Sequence, residues 1–131
     1  MSTFNAIGVA TSGVTVYRKW LDAVSDNIAN MDNVSRTSEN AFQARYIVAQ
    51  EAQDGNGAEV AGVAYGKAEG ILTYEPDNPL ADTEGYVRRP DIDMGGQMAQ
   101  MIMAQRSYQA NLSVVDRARE SYQAAIQLGK G

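Results

Sequence analysis

Carboxylates are the side chains in this sequence that could most readily support acid–base chemistry. Four of them fall in one proline-containing stretch and two more flank Ile92, namely Glu75, Asp77, Asp82, Glu84, Asp91 and Asp93. Paired carboxylates cleave glycosidic bonds when an apolar pocket raises the pKa of one of them. Because nothing in this turn-rich stretch indicates such a pocket, we expect a solvated acidic loop and no catalytic site.

Two glycine-containing segments have the beginnings of ligand-binding loops but lack essential residues. Residues 8–15 have the glycine spacing of a phosphate-binding loop, but Val14 stands where the lysine is required. Residues 54–58 begin like a calcium loop, but Ala58 and Tyr65 stand where oxygen ligands are needed. We therefore expect no nucleotide and no calcium, and interpret Asp54-Gly55-Asn56-Gly57 as a hairpin turn.

The composition excludes further kinds of chemistry. The 131 residues include no cysteine and no histidine, and the net charge is −5. Disulfides, thiolate metal sites and the usual near-neutral acid–base group are thereby excluded. An acidic chain is a poor partner for nucleic acid, and no apolar run approaches the roughly 18 residues of a transmembrane helix. We expect no enzyme, no cofactor or metal, no nucleic-acid partner and no direct membrane insertion.

The charge is distributed unevenly, and this predicts three segments. Residues 51–93 carry a net charge of −7 and contain all three prolines, whereas residues 1–50 are neutral and residues 94–131 carry +2. Acidic, turn-rich sequence is typical of a solvated surface. We expect an N-terminal helix in residues 1–33, a central β-rich unit in residues 34–93 and a C-terminal helix in residues 94–131.

The N-terminal segment has the heptad pattern of a helix that packs on another helix. Its first apolar row is Ile7, Val14, Leu21 and Ile28, and its second is Ala10, Tyr17, Val24 and Met31. Gly8 and Gly13 each weaken a helix by about 1 kcal/mol relative to alanine. We therefore expect firm helix only from about Val14, ending near Asn30.

The C-terminal segment has a broader apolar face. Residues seven apart form its main row, Met94, Met101, Tyr108, Val115 and Tyr122, with Met98, Leu112 and Ile126 in a neighbouring row. Asp91 or Asp93 is expected to cap this helix. A helix to Leu128 would be about 50 Å long, whereas a compact domain of this size is roughly 35–40 Å across. Its apolar face must therefore be covered first by the N-terminal helix and then by neighbouring chains.

The central segment predicts short strands near residues 42–50, 58–65, 70–74 and from residue 85. The expected fold class is α+β, with two long terminal helices packed as a coiled-coil-like pair and a small central β-rich unit. Two interpretations of the helices remain open at this point. The apolar face is either the core of an ordinary α+β domain or the contact surface of a self-assembling arm.

Three motifs resemble those of rod proteins of the bacterial flagellum. Residues 25–30 (SDNIAN) are similar to a signature near the N-terminus of flagellar axial proteins, and residues 106–111 (RSYQAN) to a motif in their C-terminal helix. Residues 74–87 (YEPDNPLADTEGYV) resemble a stretch found in proximal rod proteins. The sequence departs from the family pattern at Gln109, often glutamate, at the Gly95-Gly96 helix start, and at residues 88–91 (RRPD).

The resemblance implies a structural, non-enzymatic subunit of the proximal rod in the basal body. Such subunits assemble helically and transmit torque from the motor to the distal rod and hook. The implied partners are copies of the chain, other rod subunits, and ring and export-gate components. Type III export through the flagellar apparatus, without a cleaved signal, would place the chain outside the cytoplasmic membrane. The alternative is a non-flagellar coiled-coil adaptor that binds a partner helix.

We expect both helices to contribute residues to an assembly interface. Asn27, Asn30 and Asn111 are expected to satisfy buried polar groups and fix the register. The N-terminal arm is expected to order only on assembly, because an unpartnered apolar row does not offset the entropy of ordering. The complete candidate set is Ile7, Val14, Leu21, Val24, Asn27, Ile28, Asn30, Met101, Tyr108, Asn111, Leu112, Val115 and Tyr122.

Overall fold

The computed structural model describes residues 3–131 and contains two long helices and two small antiparallel β-sheets. The elements in chain order are α1 (Thr3–Asn30), β1 (Arg45–Glu51), β2 (Ala58–Tyr65), β3 (Ile71–Tyr74), β4 (Tyr86–Arg89) and α2 (Met94–Gly129). The α+β class with long terminal helices is confirmed.

Helix α1 begins earlier than its glycines led us to expect. It is continuous from Thr3 and passes through Gly8 and Gly13 without interruption. Its first turns are held by tertiary contact, since the Phe4 ring packs edge-on against Tyr122 with centroids 4.9 Å apart. The expectation of firm helix only from Val14 is therefore wrong, because packing on α2 overrides the local glycine penalty.

Helix α2 has 36 residues and rises about 54 Å. Of the two candidate caps, the structure uses Asp93, whose carboxylate accepts the backbone N–H of Gly96 at 2.8 Å. The helix ends at Gly129, as expected from the glycine-rich end of the sequence.

The two helices pack side by side in opposite directions. Asn27 near the end of α1 contacts Gln97 near the start of α2, and Phe4 at the start of α1 contacts Tyr122 far along α2. Between these ends, the Trp20 indole donates to the Gln100 side chain at 3.3 Å. This antiparallel arrangement is the coiled-coil-like pair that the heptad rows predicted.

The β1–β2 hairpin also lies along α1. The start of β1 is hydrogen-bonded to Asn27, and the hairpin tip is bonded to Ser12, whose hydroxyl accepts the backbone N–H of Ala58 at 3.0 Å. Asn27 is fifteen positions after Ser12, a rise of about 23 Å, and the seven residues of β1 span about the same distance. The hairpin and this part of the helix therefore match in length.

Gly57 allows the hairpin tip to approach α1 closely. Its φ is +107°, and a Cβ built on it would lie 3.4 Å from the Val9 Cα and in steric conflict with the Ser12 hydroxyl. Any side chain at this position would lift the hairpin away from the helix.

The second sheet, β3–β4, is joined to the segment after α1. Ser35 pairs with Arg88 of β4 through two backbone hydrogen bonds of 2.9 Å each. The Arg89 guanidinium donates to the Glu75 carboxylate at 2.7 Å and lies 3.8 Å from Asp32 just beyond α1. These contacts anchor the acidic loop between β3 and β4.

The core is small and lies where α1, α2 and the central unit meet. Its buried apolar side chains are mostly small, namely Ala10, Val16, Ala23, Val24, Ala41, Ala44, Val87 and Ala104. No described residue beyond Ala104 is buried. The second half of α2 therefore keeps much of its surface in contact with solvent.

Candidate assembly interface

Asn27 is the polar centre of the helix pair. It is fully buried, and its amide nitrogen donates to the Arg45 carbonyl at 2.9 Å and to the Gln97 side-chain oxygen at 3.1 Å. Its amide oxygen accepts the Arg45 N–H at 2.8 Å. The Asn27 side chain thus pairs with the first residue of β1 as a neighbouring strand would, and it joins the hairpin to both helices.

The other two candidate asparagines have a different geometry. The Asn30 side chain donates to the Asp26 carbonyl at 2.8 Å, and the Asn111 side chain donates to the Ser107 carbonyl at 2.9 Å. Each bonds a carbonyl four residues earlier in its own helix, so neither makes the bridge between helices that Asn27 makes. Asn111 instead packs closely on α1, because a Cβ on Gly13 would lie 2.8 Å from its amide oxygen.

The apolar rows of α1 are buried to different degrees. Val24 of the second row is fully buried, and Ala10 in the same row is nearly so. The members of the first row are half-buried, namely Ile7, Val14, Leu21 and Ile28. The centre of the packed face therefore lies on the second row, with the first row at its margin.

On α2 the candidate residues fall into two groups. Met101, Tyr108 and Val115 are half-buried, whereas Leu112 and Tyr122 are exposed. Further apolar side chains beside this seam are uncovered, and on one side Met94, Met98 and Ile102 recur every four residues at 42%, 49% and 48% exposure. Residues four apart lie one above another on a helix, so these three form a continuous row.

A second uncovered apolar feature lies between α1 and the hairpin. It is an open cleft of about 470 Å³. Its walls are formed by Val9, Val16 and Trp20 of α1 and by Ile47 and Ala49 of β1, and Asn111 lies at its α2 side.

The acidic loop between β3 and β4 is held in place by hydrogen bonds to its carboxylates. The Asp82 carboxylate accepts the N–H groups of Glu84 and Tyr86, each at 2.9 Å, and the Thr37 hydroxyl at 3.1 Å. These hydrogen bonds, that from Tyr86 first, hold the pKa of Asp82 below its usual value, and hydrogen bonding to Arg89 does the same to the pKa of Glu75. The general acid of a glycosidase needs a raised pKa, so neither of these carboxyl groups fits that role.

Two arginines that the sequence did not single out position this loop. The Arg88 guanidinium donates to the Glu69 and Thr37 carbonyls, and Arg89 pairs with Glu75 and Asp32. No sequence signal distinguishes these arginines from solvated ones, because their partners lie far along the chain. Gln97, the buried partner of Asn27, was missed for the same reason.

The described residues contain no metal-binding cluster of three or more acidic, histidine or cysteine side chains. Over the same residues, no helix has the combined length and apolarity needed to cross a membrane.

Comparison with known proteins identifies the class to which this helix pair belongs. Residues 83–128, which include β4 and most of α2, match the family described as flagellar basal body rod FlgEFG protein C-terminal. This part of the chain is thus similar to flagellar rod proteins.

Full-length relatives define the family more narrowly. The chain is 34% identical to the flagellar basal-body rod protein FlgC of Salmonella typhimurium and 35% identical to that of Escherichia coli O157:H7, over 99% of this chain and all of each relative. It is 27% identical to the corresponding protein of Bacillus subtilis, again over 99% of this chain and all of the relative. The chain belongs to the FlgC family of flagellar basal-body rod proteins.

Proposed function

We propose that this chain is a structural, non-enzymatic subunit of the flagellar basal-body rod. It assembles with other rod and basal-body components, and the proximal rod is its position. Copies and related subunits pack helically through the two long helices, and the resulting rod transmits torque to the distal rod and hook. The full-length relatives named as flagellar basal-body rod proteins support this assignment.

The structural observation that carries the proposal is the uncovered row on α2. Met94, Met98 and Ile102 extend the apolar surface beyond what α1 covers. Full burial of such a side chain contributes about 1.5–3 kcal/mol, so covering the exposed half of each contributes about 1 kcal/mol, and only another chain can do so. An assembly of many such contacts suits a shaft that bears torque along its length.

The more specific partners are proposed from the resemblance to rod proteins. Ring and export-gate components are proposed as neighbours at the base of the rod, and the flagellar export apparatus as the route of secretion. The candidate interface residues on both helices form the proposed contact surface. In this proposal the first turns of α1 and the second half of α2 gain order on incorporation, because their apolar side chains are then covered.

The proposal is tested by placing a charge in the uncovered row. Met98→Asp and Ile102→Asp should leave the purified chain folded by circular dichroism, because both side chains are about half exposed. They should abolish copurification of the chain with intact basal bodies, and the cells should not swim. Thr83→Asp, an exposed substitution in the acidic loop, is the matched control and should be incorporated normally.

Normal swimming of cells whose only copy is Ile102→Asp would contradict the proposal. A small closed oligomer of the purified chain, together with its absence from basal bodies, would favour an adaptor that binds a partner helix.

A further inference from the structure

The last turn of α2 carries a protruding leucine. Leu128 is 84% exposed, and α2 continues seven residues, or about 10 Å, past Tyr122, where the first described turn of α1 packs. Ala124 and Ala125 lie four and three residues before Leu128, on the same side of the helix. Their small side chains leave Leu128 as a knob on a flat surface.

The cleft between α1 and the hairpin has the size and polarity to receive such a knob. Its volume of about 470 Å³ is roughly three times the ~150 Å³ left when one buried leucine is removed from a protein core. Its walls at Val9, Val16, Ile47 and Ala49 are aliphatic. A leucine with the small residues around it therefore fits within the cleft.

The charges around the two features are complementary. Ile47 and Ala49 face the cleft, and Glu51 is two residues further along β1, opposite Ala58, which also lines the cleft. Side chains two apart point to the same face of a strand, so Glu51 lies at the rim. Glu51 is exposed and makes no ion pair with the described residues, so it is open to a cation of another copy.

The wider surroundings have the same complementarity. The hairpin from residue 50 to residue 60 carries three carboxylates and no cation, whereas residues 117–130 carry three cations and one carboxylate. Long-range attraction between opposite charges favours bringing the two surfaces together.

We propose that Leu128 of one copy seats in the cleft of a second copy. This inference rests on the proposed function, since it specifies one contact between neighbouring copies in the rod. Within one chain Leu128 is seventeen residues from Asn111 at the cleft, about 25 Å along α2, so a chain does not fill its own cleft. Knob and cleft are different surfaces, so the contact repeats head to tail and leaves both ends open.

Disulfide trapping tests the contact directly, because the chain has no cysteine of its own. Ala49→Cys and Leu128→Cys are made as separate full-length variants, checked for folding by circular dichroism, mixed and oxidised. A disulfide requires Cα atoms within about 7 Å, so only a seated knob brings the two cysteines together. The mixture should give a crosslinked dimer in about tenfold higher yield than Glu84→Cys mixed with Leu128→Cys, because seating raises the effective concentration.

The chain carrying both Ala49→Cys and Leu128→Cys extends the test. It should give a ladder of multimers, because each copy presents one knob and one cleft. Equal yields for the Ala49→Cys and Glu84→Cys mixtures would overturn the contact. If Ala49→Cys does not fold, Ala58→Cys on the other strand of the cleft replaces it with the same expected result.

Charge reversal gives an independent readout in cells. Glu51→Lys should reduce swimming, because it places a cation at the rim that the cation-rich end of α2 approaches, whereas unchanged swimming would contradict the contact. The two proposals fail separately. If the natural chain is found in purified basal bodies but the cysteines do not link there, only the head-to-tail contact is wrong. If the chain is absent from basal bodies, both the proposed function and the head-to-tail contact are wrong.

Discussion

Asn27 shows how one side chain can hold three elements together. It occupies a fully buried position and makes three hydrogen bonds, to both backbone groups of Arg45 and to the Gln97 amide. Replacing it with a nonpolar residue would leave those groups buried without partners.

We expect Asn27→Ala to lower the free energy of unfolding by about 2–3 kcal/mol, because the penalty for unpaired buried groups adds to the lost hydrogen bonds. Urea denaturation of the purified chain measures this difference. Asn33→Ala is the control, since Asn33 is exposed and its side chain donates to the neighbouring, half-buried Asn30 side chain, near the end of α1. Equal stability of the two variants would show that the Asn27 bonds contribute little.

The two glycines inside α1 differ in their surroundings. A Cβ on Gly8 would meet nothing within 4 Å, whereas one on Gly13 would lie 2.8 Å from the Asn111 amide oxygen. Alanine should therefore be tolerated at one position and should displace Asn111 at the other.

Gly8→Ala should stabilise the chain by about 0.8–1 kcal/mol through helix propensity. The free energy of unfolding of Gly13→Ala should be lower than that of Gly8→Ala by about 1 kcal/mol or more, because displacing Asn111 breaks its hydrogen bond to Ser107. Thermal denaturation of both variants measures the difference. Adding Asn111→Ala to Gly13→Ala should remove the clash, and an unchanged deficit in the double variant would refute the close packing.

At the scale of elements, the loop between β3 and β4 is a small folded unit organised by carboxylates. Asp82 binds the backbone of the turn before β4, and Glu75 binds Arg89 in β4. Tyr74 and Tyr86 pack edge-on across the sheet with ring centroids 5.3 Å apart, and Gly85 at φ +89° leaves room for the Tyr74 ring. The motif that resembles proximal rod proteins is thus accounted for by the local fold.

This loop should loosen in acid. The folded-state pKa values of Asp82 and Glu75 lie below the ordinary 3.8 and 4.5, so their contribution is complete above those values and is lost as the pH falls through the lower, folded-state pKa values. Exchange of the Glu84 and Tyr86 amide protons with solvent should therefore become faster, relative to intrinsic rates, as the pH is lowered from about 5 to about 2.

Asp82→Asn should show the faster exchange already at neutral pH. Asp77→Asn is the control, because the Asp77 carboxylate makes no hydrogen bond or ion pair to the described residues. Acid loosening that is identical in the natural chain and in Asp82→Asn would show that another group is responsible.

At the scale of the whole molecule, stability is concentrated at one end of the helix pair. Val24, Asn27, Gln97 and Ala104 are buried together with the start of the hairpin, whereas no described residue beyond Ala104 is buried. The other end is held by the small buried side chain of Ala10, by half-buried side chains and by the contact of Phe4 with Tyr122.

In the dilute monomer, we expect amide exchange to be slowest around Asn27 and Gln97 and fastest in the first turns of α1 and in α2 beyond Leu112. Few buried contacts mean a low free energy of local opening. Exchange of the same amides in assembled rods should be slower. Uniform protection along both helices in the monomer would contradict the proposal that these ends gain order on assembly.

The sequence by itself determined the elements of this protein and their order. Heptad rows indicated both helices, Asp93 was one of two expected caps, and the turn at residues 54–57 separated β1 from β2. The pattern also indicated that α2 was too long and too apolar for one small domain. These signals are local, since periodicity, capping and turn geometry depend on residues within a few positions of one another.

Only the tertiary structure decided how those elements meet. It placed the hairpin along α1, moved the centre of the packed face to Ala10 and Val24, and gave Asn27 partners that Asn30 and Asn111 do not have. It also paired Arg89 with Glu75 and Asp32. Asn27 and Gln97 are 70 residues apart, so their contact depends on the simultaneous packing of distant segments. Which apolar surface stays uncovered, and so remains for another copy, follows from that packing.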